Sequence, residues 1–281
     1  MLSYRHAFHA GMHADVLKHC VLTQLLRHLC NKEKTFWYID THSGAATYSL
    51  RGEYARTSGE SETGIAKLWD CTDLPEALKL YVDEVRALNP GGLLKTYPGS
   101  SWFADRIMRK HDRLRLFELH SSDSSLLQRH FSRAAPRVIA QAGDGFSGLL
   151  ALLPPTSRRG LVLIDPSYED KRDYTRVISA LHAALERFAT GTYALWYPQV
   201  KRREAQQLRE RLERWGTDGW LHATLTVKSP PADGVGLYGS GMFVVNPPHT
   251  LRALLEPVMP YLAKVLGQDD GAGFSLQSKI G

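Results

Sequence analysis

"GLVLIDPSYED" (160–170) decides how this chain folds. An unbroken apolar run of strand length leads straight into an acid and a proline. Continuous rather than alternating hydrophobicity marks a strand covered on both faces, as in a parallel sheet between helix layers. Working outward, "FWYID" (36–40), "LRLFEL" (114–119), "RVIAQAGD" (137–144) and "YALWYP" (193–198) have the same character. Helix-period stretches at 100–110, 121–132, 145–153 and 171–188 fall between them. This rhythm predicts an α/β fold, a doubly wound and mostly parallel sheet with right-handed crossovers.

The rhythm changes after a helix at 201–215. "WLHATLTVK" (220–228) and "GMFVVNPP" (241–248) have no helix between them and read as an antiparallel terminal pair. A helix at 250–266 follows, and the Gly-rich tail 267–281 reads as loose. Residues 49–96 are amphipathic and helical, a small insertion after the first βα unit. The expectation is one domain over 1–281 carrying that insertion.

Bulk properties exclude several classes. With 281 residues, 43% hydrophobic and 23% charged, the chain has material for a sizeable core. No apolar run reaches the roughly 18 residues of a membrane span, and the start is polar and His-rich, so a cytoplasmic protein is expected. Three cysteines without C-x-x-C spacing give neither a disulfide framework nor a zinc knuckle. A net charge of +6, with basic clusters at 106–115, 157–159 and 201–203, is compatible with a nucleic-acid partner.

Ligands of open α/β sheets lie beyond the carboxyl ends of the strands. Four predicted strands deliver an acid there: Asp40, Glu118, Asp144 and Asp165. Each has a role if the ligand is an adenosyl group. Ser43, Gly44 and Ala45 let it approach the first turn. Glu118 can take both ribose hydroxyls, and Asp144–Gly145 can accept from the adenine amine. The G-x-G-x-x-G fingerprint of dinucleotide enzymes is missing, and a pyrophosphate would face an acid-lined edge. A cationic, phosphate-free adenosyl ligand, S-adenosylmethionine, suits that edge better.

"DPSY" (165–168) resembles the (D/N/S)-P-P-(Y/F/W) motif of amino-group methyltransferases. A base amine is a poor nucleophile because its lone pair is delocalised into the ring. Hydrogen bonds to the Asp165 carboxylate and the Pro166 carbonyl favour a tetrahedral, nucleophilic nitrogen, and Tyr168 would stack on a flipped base. Ser167 replaces the second proline and weakens the turn. "NPPH" (246–249) matches the first three positions better, yet it follows the antiparallel pair and ends in His. It reads as a Pro-stopped strand.

"SYRHAFHAGMHADVLKH" (3–19), "DTHSGAATYSL", "YPGS", "ELH", "GDGF", "SRRGLVLIDPSYE", "FATGTYALWYP" and "SGMFVVNPP" run in order along nearly the whole chain. Together they closely resemble the RlmJ family of bacterial 23S rRNA adenine-N6-methyltransferases. The resemblance implies a Rossmann-like methyltransferase fold with a helical insertion, dependence on S-adenosylmethionine, and methylation of the adenosine at position 2030 of 23S rRNA, in standard ribosomal numbering. It places cofactor contacts at Lys18, His19, His42, Ser100, Glu118, Asp144 and Gly145. It assigns catalysis to Asp165, with Pro166 and Tyr168 in the same motif. Tyr4 is a substrate contact, and His6 a further candidate. Met12 stands where the family commonly has Asn, and Ser167 where it has Pro.

The histidines at 6, 9, 13 and 19 first suggest a metal site, since the spacings His6–His9 and His9–His13 fit one helical face. No Cys or paired acid completes a tetrahedral set, and methyl transfer from a sulfonium needs no metal. The opening motif therefore reads as a cap over the methionine end of the cofactor, with His9 and His13 structural. Expected partners are 23S rRNA and neither membrane nor metal, the chain acting as a monomer. The alternatives are an amino-group methyltransferase for another base or a protein Gln, and a catalytically weak RNA-binding relative. Segments 49–96 and 106–115 are the expected grips on RNA.

Overall fold

The computed structural model describes residues 6–52, 59–216 and 218–279. Its centre is an eight-stranded sheet in the order β10-β8-β9-β7-β6-β1-β4-β5. Five strands are parallel: β1 (Trp37–Asp40), β4 (Arg113–Glu118), β5 (Val138–Ala142), β6 (Gly160–Ile164) and β7 (Thr192–Val200). Beside β7 lie β8 (Trp220–Thr226), β9 (Leu237–Val245) and β10 (Gly273–Lys279), each antiparallel to its neighbours. This is the mostly parallel α/β sheet with an antiparallel edge that the sequence predicts.

In the middle of the sheet, on β6, β7 and β9, side chains alternate between two dry faces, which is why those runs read as continuously apolar, whereas β5 at the edge is mostly exposed. On β6, Leu161 and Leu163 enter one core while Val162 and Ile164 enter the other. The first core is covered by α1 (His13–Cys30), α3 (Glu76–Ala87), α4 (Ser100–Ile107), α5 (Ser121–His130), α9 (Leu251–Leu255) and α10 (Val258–Leu266). The second lies under α6 (Gly145–Leu152), α7 (Asp173–Arg187) and α8 (Arg203–Glu213). From His13 to Leu26 every residue of α1 is buried, polar ones included. Its polar residues Asp15, Lys18 and Gln24 must therefore find partners inside the protein, and they do.

Several expectations need correction. The tail expected to be loose over 267–281 is ordered in its described part: β10 pairs along its length with β8. Backbone pairing, which composition does not register, orders this Gly-rich segment. The single helix at 250–266 is two, parted at Glu256–Pro257, because proline cannot donate the helical N–H. Stretch 49–96 is not purely helical, since β2 (Thr47–Ser49) and β3 (Thr96–Pro98) form a two-stranded ribbon at its base. Beyond the ribbon, its described elements are a 3-10 turn at Glu60–Thr63, the short α2 (Ala66–Trp69) and α3. The early histidines do not share one helical face. His6 belongs to a 3-10 turn, and His13 opens α1.

The antiparallel edge also disposes of "NPPH". Because β9 runs against β7, its end at Val245 pairs with Tyr193 at the start of β7, on the opposite side of the sheet from the parallel strands' carboxyl ends. Asn246 sits there at φ 52°, and its amide donates to the Ala189 and Gly191 carbonyls at 2.7 Å. It is a strand stop. Among the described residues no helix is long and apolar enough to cross a membrane.

Candidate active site

The chain leaves β1 towards β4 and β5 on one side, and β6 and β7 lie on the other. Around this switch point the carboxyl ends open onto a cavity of about 1250 Å³, mouth included. Its lining combines Lys18 and His19 from α1, His42–Gly44 after β1, Gly99–Ser100 at the start of α4, Glu118 at the end of β4, Asp144–Gly145 before α6, and Asp165–Ser167 after β6. Six carboxylates border it against three Lys and Arg side chains. Such an edge favours a cationic ligand over a pyrophosphate.

Glu118 is held by two backbone amides, Gly44 N–H at 2.8 Å on Oε2 and His120 N–H at 2.7 Å on Oε1. Burial raises its pKa while these donors lower it. Each oxygen keeps a lone pair for a ligand hydroxyl. The turn that supplies Gly44 needs φ +62°, and a Cβ there would meet the Tyr48 hydroxyl at 1.9 Å.

Asp144 is a helix cap and a cavity residue at once. It accepts from Phe146 N–H (3.2 Å) and Ser147 Oγ (3.0 Å), and pairs with Arg176 at 2.9 Å. Gly145 is pressed so closely against the β1 loop that a Cβ would lie 1.9 Å from Thr41 O. His42 bonds Thr41 through Nδ1 at 2.8 Å, its ring edge-on to Phe146. Burial depresses its pKa to about 3, so the imidazole is neutral. Ser100 donates to Asp40 at 2.6 Å; Asp40 itself is enclosed behind the cavity rather than lining it.

Lys18 lies deeper than a simple cofactor contact. Its Nζ is 2.6 Å from Asp165 Oδ2 and 2.9 Å from Asp15 Oδ1. Asp15, enclosed in α1, also accepts from His6 Nε2 at 3.0 Å and Gly11 N–H at 2.9 Å. Four residues thus form one chain, His6–Asp15–Lys18–Asp165. The cations hold Asp15 well below its usual range against the penalty of burial. For Asp165 burial outweighs Lys18, and its pKa rises to about 6. The sequence singled out three of the four. Asp15 was missed because a lone acid in the first turn of a helix reads as ordinary dipole chemistry; only burial shows otherwise.

Pro166 and Ser167 line the cavity, and Ser167 Oγ receives Glu169 N–H at 3.4 Å. Tyr168 takes φ 56°, strained for a bulky residue, and its ring turns away from the cavity into the second core. Its hydroxyl donates to Trp196 O at 2.7 Å and its ring packs on Tyr174. His6 borders the cavity against Tyr48, and Tyr4 lies outside the described residues. Among the described residues no group of three His, Cys, Asp or Glu side chains is placed to hold a metal ion. Arg109, in the cluster expected to grip RNA, is committed elsewhere. It bonds Asp112 and the Cys30 and Lys32 carbonyls, tying down the loop after α1.

These features fit S-adenosylmethionine. The acid-rich lining suits a sulfonium, Glu118 offers two carboxylate oxygens fixed by backbone amides, the glycines leave backbone room, and a buried nitrogen, Nε2 of His19, has no described partner. The arrangement can bind an adenosyl cation beside a carboxylate whose charge a buried lysine controls.

Known proteins agree. A family model described as ribosomal RNA large subunit methyltransferase D, RlmJ, matches residues 33–277. The chain is 47% identical over 267 residues to ribosomal RNA large subunit methyltransferase J of Haemophilus influenzae, covering 95% of this chain and 94% of that protein. Its counterpart of the same name from Escherichia coli is 47% identical over 262 residues, 93% of each chain. A crystal structure of a Legionella pneumophila protein superposes with a TM-score of 0.86 at 34% identity, over 96% of this chain and 98% of that one. The chain belongs to the family described as ribosomal RNA large subunit methyltransferase D, RlmJ.

Proposed function

We propose that this chain transfers a methyl group from S-adenosylmethionine to N6 of an adenosine in 23S ribosomal RNA, the reaction its family resemblance implies. The observation that carries the reading is Asp165 at the carboxyl end of β6, in a D-P-S-Y turn on a cavity fit for an adenosyl cation. When bound, S-adenosylmethionine supplies an electrophilic methyl group. The protein's residues do the rest. Glu118 takes the ribose, Asp144 and Gly145 border the adenine, and His19, His42 and Ser100 complete the cofactor site. Lys18 holds Oδ2 of Asp165, leaving Oδ1 to accept from the target amine together with the Pro166 carbonyl. Those bonds draw the nitrogen lone pair out of the ring. The amine releases its proton after transfer, so Asp165 need not take it in the rate-determining act.

His6 and Tyr4 sit at or before the start of the described chain and serve the incoming base. Tyr168 stacks on that base only if its ring leaves the second core, where it is now 2% exposed. A ribosomal RNA substrate supports a cytoplasmic enzyme, which we take to act as a monomer.

Incubating the protein with protein-free 23S rRNA and S-adenosylmethionine, then analysing nucleosides by mass spectrometry, tests the reading. N6-methyladenosine is expected. N4-methylcytosine, or label on protein with none on RNA, contradicts it.

A further inference from the structure

Inside α1, His19 is 1% exposed, and its ring borders the cavity. Nδ1 lies 2.8 Å from the Tyr97 hydroxyl, which lies 2.9 Å from the Tyr81 hydroxyl. Both tyrosines are fully enclosed, and neither hydroxyl has another described hydrogen-bond partner. Nε2 of His19 is buried and has none.

Counting hydrogens gives the chain a direction. Suppose His19 carried its hydrogen on Nδ1. It would donate to Tyr97, Tyr97 would donate to Tyr81, and the Tyr81 O–H would be stranded in an apolar core, which costs about 1–3 kcal/mol. In the other direction Tyr81 donates to Tyr97 and Tyr97 donates to Nδ1. Both hydroxyl hydrogens are then used, and the one donor left over is the Nε2–H of a residue that lines the cavity, where a ligand can accept from it, rather than an O–H enclosed in the core. Burial, with Lys18 adjacent, holds the His19 pKa well below its usual value, so the ring is neutral and only its tautomer is left to set.

We propose that Tyr97, oriented by Tyr81, is a positioning residue that locks His19 in the Nε2–H tautomer, making it a neutral donor to the carboxylate of S-adenosylmethionine. The proposal rests on the cofactor reading above. Two features make this donor useful. Lys18, the nearest cation, is already shared by Asp15 and Asp165 and has little charge to spare. A protonated imidazole would repel the sulfonium and the ammonium of the ligand, whereas a neutral N–H does not. The start of α4, where no side chain caps the free amides, borders the same cavity and supports an anion there.

The test compares two probes by isothermal titration: S-adenosylhomocysteine, and 5′-methylthioadenosine, which lacks the amino-acid end. Tyr97→Phe is expected to weaken S-adenosylhomocysteine about tenfold, the worth of one hydrogen bond. It leaves 5′-methylthioadenosine unchanged, which also shows that the variant folds. In a His19→Ala background Tyr97→Phe adds nothing further. Nitrogen-15 spectra of labelled histidine, with His19 assigned by its loss in His19→Ala, should show a protonated Nε2 and a bare Nδ1 in the wild type. Equal weakening of both probes, or a hydrogen on Nδ1, overturns the proposal alone. Wild-type protein that binds neither probe overturns the cofactor reading with it.

Discussion

Lys18 Nζ stands 2.6 Å from Oδ2 of Asp165, a buried cation against the carboxylate that ends β6. The two residues are 147 positions apart in sequence. One lies in the opening motif and the other in the fourth parallel-strand turn, so the pair joins the two segments that the family resemblance singles out.

This pair sets a pH dependence. In the proposed reaction Asp165 accepts from the amine best as the carboxylate, and burial raises its pKa to about 6. Methyl transfer should fall as pH drops through about 6. Lys18 opposes the rise caused by burial, so Lys18→Met should move the acid limb to higher pH as well as slow the reaction. Single-turnover rates across pH 5 to 9 check this, and an unmoved limb would separate Lys18 from the ionisation of Asp165.

Asp15 carries the other half of the lysine's partnership. Asp15→Asn removes a buried charge that His6, Lys18 and Gly11 all use, and should lower stability by about 3 kcal/mol, as for other broken buried pairs. The sign with pH follows from its direction. The folded-state pKa lies well below 3.8, so the carboxylate stabilises the fold above about pH 4 and loses that effect as pH falls towards its folded value. Denaturant unfolding should therefore show the gap between wild type and variant narrowing below pH 4.

Glu118→Gln keeps the shape but loses the charge and one of the oxygens fixed by Gly44 and His120. S-adenosylhomocysteine affinity should fall about 10- to 100-fold, in line with hydrogen bonds to a charged group. Calorimetric titration measures it. An unchanged affinity would remove Glu118 from the ribose site.

Arg109 tests the RNA-grip idea from the opposite side. Its guanidinium ties the last carbonyl of α1 and the loop after it to Asp112, so Arg109→Ala should lower the melting temperature while leaving the salt dependence of RNA binding unchanged. A reduced salt slope would return Arg109 to the RNA interface.

The middle of the sheet was legible because both its faces are dry. Leu161 to Ile164 had to read as an apolar run, and the four acids had to fall at one edge once the strands were parallel. What escaped was what depends on partners far away. The β10 strand is ordered by β8 rather than by its own composition, and β2–β3 is a pair too short to show a period. Within the site, residue types pointed to Glu118, Asp144 and Asp165. The joining of Asp15 to Asp165 through Lys18, the inward turn of Tyr168, and the tyrosines behind His19 arise from packing between segments that no local pattern connects.

The proposed chemistry occurs at the β6 edge and not at the better-looking "NPPH" stop. Methyl transfer to 23S rRNA by Asp165→Ala and Asn246→Ala, measured side by side with wild type, separates the two. Asp165→Ala is expected to lose a factor of about 10² or more, typical of a missing preorganised partner, while Asn246→Ala retains most activity. Equal losses in the two variants, or an active Asp165→Ala protein, would contradict this placement.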